Sequence, residues 1–241
     1  MSGADTPAPD DWPVIGPVAY DNTCRLIPGQ YALDAEHALT DLADSDDDLN
    51  SLIRLAAATN SRLQAQEEQH PAGLGRTDAV FGVPYSKIIN GAFSYGGQGA
   101  RFHAPGPRGA WYCALDVETC LAEVAFHRIV HLFETGVSDE ANIPYRLFRA
   151  DVHAQEFALL DDGSAASELC LDPLLYEAGQ ALGTRLRGEH RGGVRYPSVR
   201  HDGGVCLAVL QAPVVANVRR DEVYRLSIAD YRYAGAVVAS A

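Results

Sequence analysis

Asp116 divides two stretches of opposite periodicity, and no other feature of this 241-residue chain constrains its fold as much. Before it, Ala110–Leu115 is an apolar run of strand length. After it, Val117, Leu121, Val124 and Leu132 recur at helical spacing, which predicts a helix to about His131. Aspartate at the junction is a helix N-cap, and Glu118 in the first turn suits the positive end of the helix dipole. A glycine-rich turn, Asn90–Gly99, leads into Ala100-Arg101-Phe102-His103 ahead of the strand. Its glycines let backbone come close to a ligand, but it is neither a Walker loop nor G-x-G-x-x-G. Arg101, Tyr112 and Glu123 stand eleven residues apart along this turn–strand–helix unit.

The rest of the chain supplies strands and helices in mixed order. Residues 1–19 are expected to form a flexible, acidic and proline-rich arm, unlike a signal peptide. Thr23–Ile27 reads as a strand carrying Arg25, stopped by Pro28-Gly29. Residues 34–69 read as an acidic helical insertion, with apolar stripes through Leu39, Leu42 and Ala43 and through Leu49, Leu52, Ile53, Ala56 and Ala57. Asp44–Asp48 lies between the two stripes. Pro84–Ile89 is a short helix or strand. Tyr145–His153 and Phe157–Leu160 read as strands, Asp172–His190 as a helix ended by Gly192-Gly193, and Val194–Val199 and Gly204–Gln211 as a strand pair. Two more strands are expected within 214–238. This pattern predicts a single α+β domain over residues 20–240, a mixed β core with inserted helices.

Charge and cysteine usage narrow the function class. A net charge of -13 lacks the basic footprint a nucleic-acid binder needs. No apolar run reaches membrane-spanning length. Five scattered cysteines, Cys24, Cys113, Cys120, Cys170 and Cys206, form no C-x-x-C and suit reduced thiols in a cytoplasm.

The chemistry-bearing residues suit a dinucleotide such as NAD. Arginine forks at positions 25 and 101 can hold a pyrophosphate. The face of Tyr112 can stack on a flat, cationic nicotinamide. Breaking the nicotinamide–ribose bond develops oxocarbenium character, which the Glu123 carboxylate can stabilise. A metal enzyme is the rival reading: Glu123, His127 and His131 fall on one helix face at ligand spacing, although Arg128 stands where H-E-x-x-H requires glutamate. Ser198 with His201 would be a nucleophile and base, but no G-x-S-x-G elbow surrounds the serine. A non-catalytic binding module is a further alternative.

Arg25, the Gly99-Ala-Arg101-Phe-His103 turn, Tyr112, Glu123 and the later Tyr196-Pro-Ser198-Val-Arg-His-Asp-Gly-Gly204 occur in the order that marks the RES-domain family, which the chain resembles over about residues 20–230. That family comprises toxins of type II modules with Xre-type antitoxins. The resemblance implies an ADP-ribosyltransferase-like fold and a cytoplasmic toxin that consumes NAD. The outcomes it implies are glycohydrolase, phosphorylase or ADP-ribosyltransferase chemistry, with a protein such as phosphoribosyl pyrophosphate synthetase as one acceptor and no metal. By carry-over, Arg25 and Arg101 grip NAD, Tyr112 stacks on nicotinamide, Glu123 is the catalytic carboxylate and Ser198 lines the pocket. An Xre-type antitoxin partner is implied in the same way. Two departures stand out: His103 replaces the family's asparagine, and the 34–69 insertion lengthens the gap between Arg25 and Arg101.

Overall fold

A computed structural model describes residues 12–29, 74–75, 78–94 and 96–239. The expected acidic insertion at 34–69, with Asp44–Asp48, lies outside the described residues. So does the first part of the expected arm, residues 1–11. The remainder of that arm is corrected, because strand β1 already begins at Val14 and runs to Pro28.

After β1 come helix α1 (Ser86–Ser94), β2 (Trp111–Ala114), α2 (Val117–Thr135) and β3 (Glu140–Leu159). Then follow α3 (Ala165–Cys170), α4 (Glu177–Gly188), β4 (Gly193–Pro197), β5 (Val205–Val209), β6 (Val215–Ala229) and β7 (Arg232–Val238). A 3-10 turn, Ala212–Val214, links β5 to β6. This is a mixed α+β architecture, as the sequence pattern predicts.

The seven strands lie in the order β1-β2-β5-β4-β3-β6-β7, and β1 also pairs with β3. That extra pairing closes β1, β2, β5, β4 and β3 into a ring, from which β6 and β7 extend. β3 holds the arrangement together. It runs antiparallel to β1 from Val14↔Leu159 to Pro28↔Tyr145. On its other edge it pairs first with β6 and then, through Phe157–Leu159, in parallel with β4. The sequence suggests two strands here; the register shifts in β3 let one long strand bend between both neighbours instead.

Side chains alternate across the curled sheet and fill two cores. Cys24, Leu26, Leu147, Leu160, Leu186 and Ala208 pack on one side. Phe93, Trp111, Phe148, Phe157, Leu207 and Val209 pack on the other. The ring has one incomplete seam: β1 and β2 are joined in register at Cys24↔Ala114 alone.

α2 is the helix the sequence predicts, though longer. Asp116 caps it by accepting from the Thr119 N–H at 2.7 Å, and Gly136 in the left-handed conformation ends it. The helix expected over 172–190 is shorter: α4 starts at Glu177, and Leu174 and Leu175 are 75% and 61% exposed. Asp172 turns the chain there, its carboxylate accepting from the N–H groups of Leu174 and Leu175. Nor do Gly192 and Gly193 end the helix. They bring β4 against Phe157, where a Cβ on either residue would collide with the ring. Among the described residues, no helix is long and apolar enough to cross a membrane.

Candidate active site

The open seam between β1 and β2 becomes a cavity of about 240 Å³, with one wall from α2. Arg25 and Leu26 of β1 and Tyr112, Cys113 and Ala114 of β2 flank the seam. β4 and β5 contribute Tyr196 and Cys206, α2 contributes Cys120, Glu123, Val124 and His127, and the loops add Ala100, Arg101 and Tyr176. The cavity thus brings Arg25, Arg101, Tyr112 and Glu123 together, from four separate segments.

The Arg25 guanidinium spans the seam. Its Nη1 donates to the Tyr112 carbonyl at 2.8 Å, and its plane lies over the Trp111 ring at 4.7 Å. Its Nε is buried and has no hydrogen-bond partner among the described residues.

Tyr112 is held by its hydroxyl. The Phe102 N–H donates to it at 3.0 Å, and His103 Nδ1 lies 3.1 Å from it. His103 Nε2 faces the Gly96 carbonyl at 3.1 Å, which can only accept, so the ring proton sits on Nε2. Nδ1 therefore accepts from the tyrosine hydroxyl. Burial pushes the phenol well above its ordinary value and pushes the imidazole below its own, so both stay neutral. His103 is thus part of the support under Tyr112.

Arg101 is 7% exposed. Its Nη1 donates to the carbonyls of Cys170 (3.2 Å) and Asp172 (2.5 Å), and the guanidinium lies over the Tyr176 ring at 4.8 Å. Arg200 holds the same 170–176 segment from another side, donating from Nη2 to the Pro173 carbonyl and stacking on Phe126 at 3.3 Å. Besides lining the cavity, then, Arg101 fastens the loop that carries Tyr176 into it.

Glu123 falls off the apolar stripe of α2 and faces the cavity. The Ser198 hydroxyl donates to its Oε1 at 2.7 Å. Ser198 Oγ in turn accepts from the N–H groups of Arg200 and His201, both at 3.1 Å. Ser198 therefore stands one hydrogen bond behind the cavity wall, oriented by the turn after β4. The His201 imidazole, however, is turned to another partner. Its Nδ1 is 2.8 Å from the Thr119 hydroxyl, which donates to Asp116 Oδ2 at 2.8 Å. This chain of bonds ties the 198–204 turn to the N-terminus of α2.

Tyr176, Tyr196 and Cys206 are cavity residues that sequence reasoning did not single out. Tyr196 lies within the quoted Tyr196-Pro-Ser198 motif, which was the available signal; Tyr176 and Cys206 had none. His127 lines the cavity, but among the described residues no three His, Cys, Asp or Glu side chains are grouped to hold a metal ion. The Glu123/His127/His131 reading is corrected accordingly. All five cysteines are free and buried.

A family model described as RES domain matches residues 78–229, more than half of the chain. No curated protein matches the chain significantly. Among solved structures, the chain is similar to one described as the crystal structure of the M. tuberculosis MbcT–MbcA toxin–antitoxin complex. The likeness has 17% identity and a TM-score of 0.43, and covers 89% of this chain and 88% of the other.

Proposed function

The chain belongs to the RES-domain family, and on that premise we propose that it is a toxin that consumes NAD by cleaving the nicotinamide–ribose bond. The observation that carries the reading is the convergence of Arg25, Arg101, Tyr112 and Glu123 on one cavity. NAD is the substrate here, and the residues fit it. The guanidinium groups of Arg25 and Arg101, both cavity residues, supply positive charge for an anionic phosphate. The Tyr112 ring, fixed by its hydroxyl, supplies a rigid face for the cationic nicotinamide. A cavity of about 240 Å³ is smaller than most ligand pockets, which start near ~300 Å³, and suits one half of a dinucleotide.

In this mechanism Glu123 stabilises positive charge as it grows on the ribose, and Ser198 keeps the carboxylate aimed into the cavity. Arg25 and Arg101 hold the phosphates, and the apolar wall from Leu26, Ala114 and Val124 excludes water. The acceptor is water, phosphate or a protein side chain, corresponding to glycohydrolase, phosphorylase or ADP-ribosyltransferase activity. The curled mixed sheet with a cavity at its seam is in keeping with an ADP-ribosyltransferase-like fold. We assign the protein to the cytoplasm, with an Xre-type antitoxin as its neutralising partner. A net charge of -13 favours a partner with a basic face.

The test is nicotinamide release from NAD by wild type beside Glu123→Ala, with and without phosphate and cell lysate. Wild type should release nicotinamide, and the variant should be slower by ~10²–10⁴, the range for losing a positioned charge or acid–base group. Dependence on phosphate or lysate identifies the acceptor. Equal release by both proteins would remove Glu123 from the chemistry, and no release by wild type under any condition would refute the activity.

A further inference from the structure

The two oxygens of the Glu123 carboxylate are treated differently. Oε1 accepts from the Ser198 hydroxyl at 2.7 Å and also from the Cys206 thiol at 3.7 Å. Oε2 has no hydrogen bond among the described residues. A carboxylate turns easily about its last torsion, which is broad and two-fold. One donor fixes one direction, whereas two donors from different segments fix the oxygen between them.

Cys206 is well placed for that task. It lies within β5, in register with Tyr196 of β4 on one side and Ala114 of β2 on the other, so its Sγ is held by paired strands on both flanks. Burial, and then the neighbouring Glu123, push its thiol well above the ordinary value, so it stays protonated and serves as a donor. A thiol is a weak donor to a neutral acceptor, and an ionised acceptor strengthens the bond.

We propose that Cys206 is a positioning residue for Glu123: with Ser198 it saturates Oε1 and leaves Oε2 as the oxygen turned to the substrate. This rests on the reading of Glu123 as the reacting carboxylate. Removing the thiol leaves Oε1 with the Ser198 hydroxyl alone, so the carboxylate is freer to turn about its last torsion. Arg25 of β1 and Arg101 of the loop line the same cavity, as does His127 of α2, whose imidazole burial pushes below its ordinary value. Tyr112 of β2, Tyr176 ahead of α4 and Tyr196 of β4 line it too, with Cys113 and Cys120.

The experiment is a carbon-13 NMR spectrum of glutamate carboxyls in the ligand-free full chain at neutral pH, with the Glu123 signal assigned by its loss in Glu123→Gln. Three variants are compared with wild type: Cys206→Ala and Cys206→Val, which remove the donor, and Cys206→Ser, which restores one. The donor-free pair should shift the Glu123 carboxyl signal, because Oε1 loses one of its two donors, and serine should bring it back. In nicotinamide release, the same pair should lose ~3–10-fold in kcat with little change in KM. An unchanged Glu123 signal in alanine and valine overturns the proposal. So does an equal shift in all three, which would mark a packing effect. Because the spectrum needs no substrate, the shift can appear in a protein that does not cleave NAD; the positioning role would then stand and the NAD reading fall.

Discussion

Tyr112 combines a ring face on the cavity with a hydroxyl buried in a hydrogen-bond chain, and Tyr112→Phe separates the two. The ring remains, but the Phe102 N–H and His103 Nδ1 lose their shared partner. Leaving buried polar groups unpaired costs about 1–3 kcal/mol. Chemical denaturation should show a loss of that size while NAD affinity stays within a few fold. A large loss of affinity with unchanged stability would mean that the hydroxyl itself contacts the substrate. His103 adds a pH dependence. Its folded-state value lies below 6.5 because burial disfavours the charged ring. The unfolded chain therefore binds the extra proton first as the pH falls through about 6.5, and stability declines from there. Above that pH the contribution is complete. His103→Asn should flatten this part of the stability–pH curve, and an unaltered slope would assign it to another group. The arginine, tyrosine and glutamate were legible from their types and order. The bonds under Tyr112 were not, because they depend on a turn folding back over a strand ten residues away.

Among the elements, α2 matters most to the site, since it carries Glu123 and is anchored at its first turn. Asp116 caps it, Thr119 bonds the cap, and His201 bonds Thr119. Gly204 closes the turn against the same threonine, and a Cβ there would fall within the Thr119 hydroxyl. Gly204→Ala must therefore push the 198–204 turn away from α2. Overpacking of this kind costs about 1–3 kcal/mol, or about 2–4 °C in Tm for each kcal/mol in a chain of this size. Turnover should fall further than stability alone explains, because Ser198 would move from beneath Glu123. A variant with wild-type Tm and wild-type turnover would show that the turn is not held as described. The cap was readable in the sequence, because an N-cap is a local interaction. The His201 and Gly204 contacts join positions more than eighty residues apart and carry no local signature.

On the scale of the whole molecule, Asp151 ties the closed ring to its β6–β7 extension. Its carboxylate accepts from the Asn22 N–H at 3.0 Å on β1, and from Asn217 Nδ2 at 2.8 Å and Arg219 at 3.2 Å on β6. Asn22 and Asn217 both have positive φ, a conformation their short polar side chains tolerate, and both sit beside register shifts. These bonds, the Asn22 N–H first, hold the Asp151 carboxyl at about 2, below its ordinary 3.8. A depressed carboxylate contributes its full stability above the unfolded value and loses it as pH falls from about 4 towards 2. Asp151→Asn should reduce stability at neutral pH and weaken the acid-induced loss in that window, as read by thermal melts at stepped pH. An acid limb identical to wild type would place the loss elsewhere.

The sequence by itself determined what short-range physics fixes: the strand–cap–helix unit around Asp116, the mixed α+β class, and the residue types able to handle a dinucleotide. Periodicity and capping depend on neighbours within a few positions, so they can be read without coordinates. The family also followed from the order of its motifs, and the matched RES domain bears it out. Only the tertiary structure decided that β1 reaches back to β3 and closes the ring, because strand pairing across more than a hundred residues leaves no mark in local pattern. It likewise decided that α4 is short, since the Asp172 turn outweighs the apolar spacing of Leu174 and Leu175. The cavity is a product of that closure. It exists because β1 and β2 join at one registered pair and then part, and the side chains that face the gap come from segments the chain order keeps far apart.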